Sequence, residues 1–455
     1  MTDLDAQHQE ASAQLQRLLA DEWEQRMQDD PLFATRCGDH RFNDRLPVVS
    51  VSEGERRLAQ AQKFLLRLQA IARDALSPAD QLNYDLFERE LKERIARYTF
   101  HTHLMPIYKT SGFHVGFAEQ PNVVPLRTIE DYENYTARLA GFKAYTDGHI
   151  ELMRAGMRAG FVPAKIALEG AEGSIEPHIV ADPTQSVYYK PFAQFPPGIG
   201  EKAQRRLCKA GRAAIANSIV PGYQALLRFV REEYAPAARP EIAASALPDG
   251  KAYYEHCVRM YTTLELTPEE VHNAGLSEVR RIREEMEATI SRTGFRGTFH
   301  EFLRYLRSEP RFYVDQPQAL LQYAALIAKR MDGELPGLFS VLPRTPYGIR
   351  PIPDYIAPKT TSAYYFLPSG DGTKAGFYYV NTYGLESRPL YEYEALTLHE
   401  AVPGHHLQLA LQMELRDVPN FRRFGGITAF VEGWALYRGR PLHRLAGAGP
   451  RLQDR

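Results

Sequence analysis

The chain has 455 residues, 44% of them hydrophobic and 24% charged, a globular balance that excludes intrinsic disorder, collagen-like repeats and disulfide-rich miniproteins. Its 55 basic and 56 acidic residues give a net charge of −1, so the charge indicates no nucleic-acid partner and no anionic membrane surface. The length allows one large domain or about three domains of ordinary size.

The N-terminus and the cysteines together predict a cytoplasmic protein. The first segment, MTDLDAQHQEASAQLQRLL, is polar and acidic and lacks the basic and apolar regions of a signal peptide. No window approaches the roughly 18 consecutive apolar residues of a transmembrane helix. Cys37, Cys208 and Cys257 lie far apart without a CxxC spacing, which argues against disulfides and favours a reducing compartment.

Helical patterns dominate the chain. Ser77 followed by Pro78 is a helix start, and Thr267 with Glu270 forms a capping box. A proline-rich stretch at 235–250 predicts a connection between an N-terminal helical half, residues 1–240, and a C-terminal half, residues 241–455. We predict long helices over 3–28, 52–75, 79–98, 128–158, 199–235 and 268–293.

The stretch from Pro336 to Pro389 breaks this pattern, because its prolines forbid long helices. Within it, Ser362–Leu367 and Gly376–Tyr383 are rich in aromatic and β-branched residues, and the turn formers of 368–375 separate them. This arrangement predicts two strands, most simply a hairpin. The fold class is therefore mainly α, with a small β element directly before the segment that carries the chemistry.

That segment, residues 398–408, reads LHEAVPGHHLQ. It resembles the zinc motif HExxH, in which two histidines one helical turn apart bind the metal and the glutamate between them activates water. His399 and Glu400 fit this pattern, but the residue four positions after His399 is Pro403. A second histidine must therefore come from further along the chain.

Helix geometry separates the two candidates for that second ligand. On an unbroken helix His405 lies about 120° off the face of His399, whereas His406 shares the face but lies about 10.5 Å further along the axis. Pro403 cannot bond the carbonyl of His399, and Gly404 permits unusual backbone angles, so the helix is expected to bulge or unwind here. A bulge of about two residues returns His405 to the ligand face. We prefer His405 and keep His406 as the alternative.

A third ligand is expected, since catalytic zinc commonly has three protein ligands and one open position. Glu432 lies on a predicted helix among apolar residues, in the segment FVEGWALY at 430–437, which favours metal binding. This set predicts a zinc-dependent hydrolase of a peptide or another small amide, with Glu400 as general base. Strand Gly376–Tyr383 is the predicted place where an extended peptide adds to the sheet.

These motifs resemble the bacterial family known as domain of unknown function 885, and the likeness covers nearly the whole chain. The family is largely helical and is similar in its motif region to gluzincin-type zinc peptidases, which write the motif HExGH. Two residues are inserted here before the Gly404–His405 pair. The resemblance implies a large helical metallopeptidase-like architecture with His399, His405 and Glu432 as zinc ligands and Glu400 as base. The resemblance rests on the segments HEAVPGHHLQ at 399–408, FVEGWALY at 430–437, PLFATRCG at 31–38, GKAYY at 250–254, YYVN at 378–381 and RRFGG at 422–426.

The last residues depart from that resemblance. Family members look longer, whereas Arg438–Arg455 is rich in Arg, Gly and Pro and has no helical period. We expect a truncated or out-of-frame end that removes part of the active-site wall, and we do not count His443 as a ligand. This end keeps open the alternative of a catalytically impaired protein that only binds metal or another partner. A hydrolase of a non-peptide amide is a further alternative, because the same zinc-water chemistry serves any carbonyl.

Overall fold

The computed structural model describes residues 3–442. The protein is mainly helical with small β elements, so the predicted fold class is confirmed. The chain divides into two compact units. Unit 1 consists of Met1–Lys251, Ser369–Asp371 and Asp417–Phe424; unit 2 consists of Ala252–Pro368, Gly372–Arg416 and Gly425–Arg455.

Most helices of unit 1 precede residue 230, and those of unit 2 lie on both sides of its sheet in the sequence. The helices of unit 1 are α1 (Asp3–Asp29), α2 (Pro31–Cys37), α3 (Val51–Gln69), α4 (Pro78–Thr99), α5 (Phe113–Ala118), α6 (Gln120–Val123), α7 (Ile129–Arg158), α8 (Lys165–Leu168), α9 (Lys190–Ala193), α10 (Glu201–Ala214), α11 (Val220–Phe229) and α18 (Asn420–Phe424). Those of unit 2 are α12 (Gly250–Thr262, whose first two residues belong to unit 1), α13 (Pro268–Arg292), α14 (Phe299–Ser308), α15 (Pro317–Leu338), α16 (Leu390–Glu400), α17 (His405–Glu414) and α19 (Thr428–Leu442).

The predicted long helices match the structure closely where a capping residue marks the start. The side chain of Ser77 accepts the backbone N–H of Asp80 at the start of α4, and Thr267 with Glu270 forms the predicted capping box of α13. The helix predicted over 199–235 is a continuous helical run from Glu201 to Tyr234. A π-helical turn at Ile215–Ile219 separates α10 from α11, and a second one at Val230–Tyr234 follows α11.

Two small sheets lie between these helices. In unit 1, β1 (Ile107–Tyr108) pairs antiparallel with β2 (Ser111–Gly112). In unit 2, β3 (Tyr347–Pro351), β4 (Ala363–Phe366) and β5 (Gly376–Val380) form a sheet in the order β3-β5-β4. β4 and β5 are antiparallel, as the predicted hairpin requires, and β3 pairs parallel to β5.

This strand order corrects one prediction. The segment Gly376–Tyr383 cannot take an added peptide strand along β5, because β3 and β4 already occupy both of its edges. Within the described residues no strand pairs with the outer side of β4, so β4 is an edge strand of this sheet. The sequence alone does not reveal the strand order. The segment that forms β3 shows no clear alternation of apolar and polar residues, so it does not stand out as a strand.

Each unit has its own apolar core. In unit 1, side chains of α1, α3, α4 and α18 pack together; the core residues with the least exposure are Leu15, Leu68, Phe87 and Leu91. In unit 2, α15 and α16 cover one face of the sheet through Leu320, Ala324, Tyr378, Val380 and Tyr393. Burial of these faces is the main stabilising contribution in both units.

Unit 1 also buries histidines that carry no nearby carboxylate partner. The ring of His149 stacks on Phe113 at 3.8 Å between centroids, and neither ring nitrogen has a hydrogen-bond partner within the described part of the chain. His114 bonds the hydroxyl of Ser174 at 2.9 Å through Nε2. Burial lowers the pKa of both histidines to about 3, and proximity to His114 and Arg97 lowers that of His149 further.

We expect His149→Phe to make the protein less sensitive to acid. The pKa of His149 in the folded protein is about 3 against an ordinary value of 6.5, so at intermediate pH the unfolded chain binds a proton that the folded protein does not. The wild type therefore loses about 2 kcal/mol of unfolding free energy through this group between pH 6.5 and pH 5, and phenylalanine removes that loss. Denaturant unfolding at pH 7 and pH 5 measures the difference. His272→Gln, at an exposed position on α13, is the control; identical pH dependence in His149→Phe and wild type contradicts the expectation.

The composition after Tyr437 predicts irregular chain, whereas α19 continues to Leu442. His443 and the rest of the predicted irregular tail lie outside the described residues. None of the described helices has the length and hydropathy that crossing a membrane requires.

Candidate metal centre

The helix that carries His399 is interrupted at the predicted place. α16 ends at Glu400, α17 begins at His405, and the peptide bond before Pro403 is cis. Gly404 has a φ of −77° and a ψ of −127°. A Cβ atom at this position would collide with the backbone carbonyl oxygens of Leu398 and His399, so only glycine permits the close approach of the two helices.

The segment between α16 and α17 contacts α19. The indole N–H of Trp434 donates a hydrogen bond of 2.8 Å to the carbonyl of Pro403. Leu398, Val402 and Leu407 form an apolar cluster against which Trp434 packs. Because Glu432 lies two residues before Trp434 on the same helix, this contact fixes the carboxylate of Glu432 relative to the histidines of α16 and α17.

The three predicted ligands meet at one point of unit 2. One ligand atom from each of His399, His405 and Glu432 lies within 4.8 Å of the others. Oε2 of Glu432 is 3.4 Å from Nε2 of His399 and 3.7 Å from Nε2 of His405. Zinc bonds of about 2.0–2.1 Å at tetrahedral angles separate two ligand atoms by roughly 3.3–3.4 Å. The donor types and their spacing therefore fit a zinc ion.

The surroundings favour neutral imidazoles, which are the form that binds metal. Burial lowers the pKa of His399, although Glu432 opposes this shift through its charge and a hydrogen bond. Burial and the neighbouring His399 lower the pKa of His405, and the charge of Glu432 again opposes the shift. The histidine side chains are 24% and 10% exposed, whereas that of Glu432 is 50% exposed. The group is thus more buried on the side of the histidines and more exposed to solvent on the side of Glu432.

Glu400 is not a ligand in this arrangement. Its carboxylate accepts a hydrogen bond from the backbone N–H of Tyr365 on β4 and is 8% exposed. Burial raises the pKa of Glu400 to about 7, the nearby charge of Glu432 raises it as well, and the N–H of Tyr365 opposes both. A carboxyl group beside three metal-type ligands, with its pKa near neutrality, is suited to exchange protons with a reacting molecule.

His406, the alternative ligand, does not join the group. Its Nδ1 lies 2.8 Å from the hydroxyl of Tyr365, and a ring N–H bonds the backbone of Thr345. Its ring also packs on Tyr347 at 4.6 Å between centroids, and the hydroxyl of Tyr347 bonds Asp332 at 3.0 Å. His406 therefore fixes Tyr365, whose backbone bonds Glu400, and its role is to position rather than to bind metal.

Sequence reasoning missed this supporting layer. The tyrosines of the hairpin look alike in the sequence, but in the structure Tyr365 reaches both a histidine through its side chain and the carboxylate of Glu400 through its backbone. The one available signal was Gly376: a Cβ there would collide with the Tyr365 hydroxyl, so this glycine marks the side chain that crosses β5.

A family model now matches the chain over residues 31–447, and its description is "Bacterial protein of unknown function (DUF885)". The chain belongs to this family. The match confirms the family suggested by the motifs and extends beyond them to both units. It brings no activity with it, because the family is described by its unknown function. No curated protein matches the chain.

Two solved structures are similar to this chain in fold. The putative lipoprotein from Colwellia psychrerythraea is 23% identical with a TM-score of 0.86, and the match covers 96% of this chain and 78% of that one. A putative lipoprotein of unknown function from Shewanella oneidensis is 15% identical with a TM-score of 0.58, covering 94% of this chain and 77% of that one. At these identities the likeness shows the fold alone.

The same comparison corrects the predicted location. A cytoplasmic protein was the expectation from the polar N-terminal segment and the scattered cysteines, but both similar structures are described as lipoproteins, so that prediction is wrong. The physical reason is that neither feature is a positive signal for the cytoplasm. Unpaired cysteines show only that this fold does not depend on disulfides.

Proposed function

We propose that this protein is a zinc-dependent hydrolase that cleaves short peptides, and that its active site lies in unit 2. The observation that carries the proposal is the convergence of His399, His405 and Glu432 from three separate helices at zinc-ligand spacing, with the buried carboxyl group of Glu400 beside them. The likeness of the motif to gluzincin peptidases supports the same reading.

When bound by these residues, zinc lowers the pKa of a coordinated water molecule and polarises the substrate carbonyl. Glu400 accepts one proton of the attacking water, while the oxygen of that water forms a bond to the carbonyl carbon. The C–N bond then breaks, and Glu400 returns its proton to the leaving nitrogen. The N–H of Tyr365 holds the carboxyl group in place throughout.

β4 supplies a place for an extended peptide. Asn381 donates its backbone N–H to Ser362, so Ser362, Tyr364 and Phe366 bond towards β5, and Ala363 and Tyr365 point their backbone groups to the free edge. At that edge the N–H of Tyr365 is taken by Glu400, and the carbonyl of Ala363 accepts the hydroxyl of Thr361. The N–H of Ala363 and the carbonyl of Tyr365 remain for a peptide that adds beside β4.

Metal analysis of the purified protein tests the centre directly. We expect about one zinc ion per chain, lost in His399→Ala and retained in the control His272→Ala, because catalytic zinc sites depend on each of their three protein ligands. Mass spectrometry of a peptide mixture, with and without chelator, then tests the reaction. Unchanged zinc content in His399→Ala would refute the site, and full zinc loading without any cleaved peptide would refute the activity.

A further inference from the structure

A groove of about 660 Å³ lies in unit 2 beyond the C-terminal end of β5. One wall is the loop that leads from β5 towards α16, and the other is the connection between α14 and α15. Its volume is within the range of sites that hold small molecules or peptide side chains. The two walls are formed by Thr382–Glu386 on one side and by Arg307, Ser308 and Tyr313–Asp315 on the other.

The first wall is tied to the start of the edge strand β4. Arg388 donates to the carbonyl of Tyr383 at 3.3 Å and to the hydroxyl of Ser362 at 2.7 Å. The fully buried Asn381 accepts the N–H of Tyr383 at 3.0 Å and donates to the carbonyl of Thr361 at 3.0 Å. Both backbone groups of Tyr383 are thereby fixed relative to the two residues that precede β4.

This connection sets a distance between the groove and the reaction centre. Ser362 and Tyr365 are three residues apart on extended chain, which corresponds to about 10 Å. The groove wall is bonded to Ser362, and the backbone of Tyr365 is bonded to Glu400. Consider a peptide that adds beside β4 with its scissile bond at Glu400. The peptide residue that lies about three positions from that scissile bond would then face the groove.

The groove has the chemistry of a site for a cation. Asp315 and Glu386 are exposed and form no ion pair with any residue in the described part of the chain, whereas Arg307 is its single basic group. The ring of Tyr383 is 57% exposed although its backbone is fixed, and Tyr313 lines the opposite wall. Carboxylates beside aromatic rings bind ammonium and guanidinium groups by ion pairing and cation–π contact.

We propose that this groove binds a positively charged residue of the peptide substrate, lysine or arginine, about three positions from the scissile bond. The proposal rests on the proposed peptidase function and adds a substrate class to it. It assigns Asp315 and Glu386 to charge recognition and Tyr383 to contact with the aliphatic stem and the charged head of that side chain.

Binding and cleavage of a lysine scan test the proposal. The probes are fluorescent octapeptides of alanine, serine and glycine with a single lysine moved through the sequence, and a matched glutamate series. With the zinc-loaded Glu400→Gln protein, which keeps the metal ligands, we expect lysine peptides to bind at least about tenfold more tightly than their glutamate counterparts. With wild type, the cleaved bond should move with the lysine at a constant offset of about three residues.

Variants locate the effect. Asp315→Asn combined with Glu386→Gln should reduce the lysine preference to about twofold or less, whereas the control Glu392→Gln, an exposed acid on α16 outside the groove, should retain it. Equal binding of the two peptide series, or an unchanged preference in the double variant, overturns the proposal. Cleavage without a constant offset does so as well. Lysine preference without any cleavage overturns the peptidase function instead and leaves the groove as a cation-binding site.

Discussion

Glu400→Gln is expected to lower kcat for peptide hydrolysis by about 10³-fold while the zinc content stays the same. Glutamine has the size of glutamate and can still accept the N–H of Tyr365, so the local structure is retained. It cannot take a proton from water, and positioned acid–base groups contribute about 10²–10⁴-fold to catalysed rates. Zinc should be retained because the proposed ligands are His399, His405 and Glu432, and Glu400 is not among them.

The matched control for this variant is Glu392→Gln, which makes the same chemical change two turns earlier on α16, at an exposed side chain. It should leave kcat within about twofold of wild type, because exposed substitutions away from the site have small effects. Initial rates and zinc content measured on both proteins decide the matter. Wild-type kcat in Glu400→Gln would show that another group accepts the proton.

The helices could be predicted well because their signals are local. α7 was expected over 128–158 and spans Ile129–Arg158, with the side chain of Thr128 accepting the N–H of Asp131 in a capping box. A cap and a 3.6-residue period are both properties of neighbouring residues, and no knowledge of tertiary packing is needed to read them.

The proximity of His405 to His399 could be predicted for a different reason. Pro403 and Gly404 disfavour the helix predicted on both sides of them, and only a few backbone arrangements, such as a bulge or a break, accommodate them. The structure adopts one in which the helix stops at Glu400 and restarts at His405, which brings His405 to His399. The same break turns His406 towards Tyr365, a contact between residues 41 positions apart that sequence spacing does not show.

The order of the strands is a non-local property and was not predictable in this way. The aromatic run that became β5 looks in the sequence like an edge strand, but β3 pairs with its second edge. Which strand is free for a substrate therefore follows from the pairing of Tyr347–Pro351 and not from the composition of the hairpin. For this reason alone, the strand proposed to pair with an added peptide is β4 and not β5.

Arg138 connects segments of unit 1 that are far apart in the sequence. It is fully buried on α7, and its guanidinium donates to the carbonyls of Pro31, Phe42 and Arg45. It also donates to the hydroxyl of Thr35 at 2.6 Å and to the side-chain oxygen of Gln120 at 3.1 Å. Burial lowers its pKa to about 10, so the group still carries its charge at neutral pH. Hydrogen bonds to uncharged acceptors thus solvate a buried cation.

Arg138→Met is therefore expected to lower the unfolding free energy of the protein by about 3–5 kcal/mol. Methionine fills part of the volume but removes five hydrogen bonds. The carbonyls of Pro31 and Phe42 keep a second donor, whereas the carbonyl of Arg45 and the buried side-chain oxygen of Gln120 lose theirs. A buried acceptor that loses its partner costs about 1–3 kcal/mol. Denaturant unfolding measures the loss, and hydrogen exchange should show that the segment from Pro31 to Arg45 loses protection first. Arg158→Met, at the exposed end of the same helix, should change stability by less than about 0.5 kcal/mol. If the two variants are equally stable, the five hydrogen bonds of Arg138 do not hold this segment on α7, and packing of α2 against α1 must do so instead.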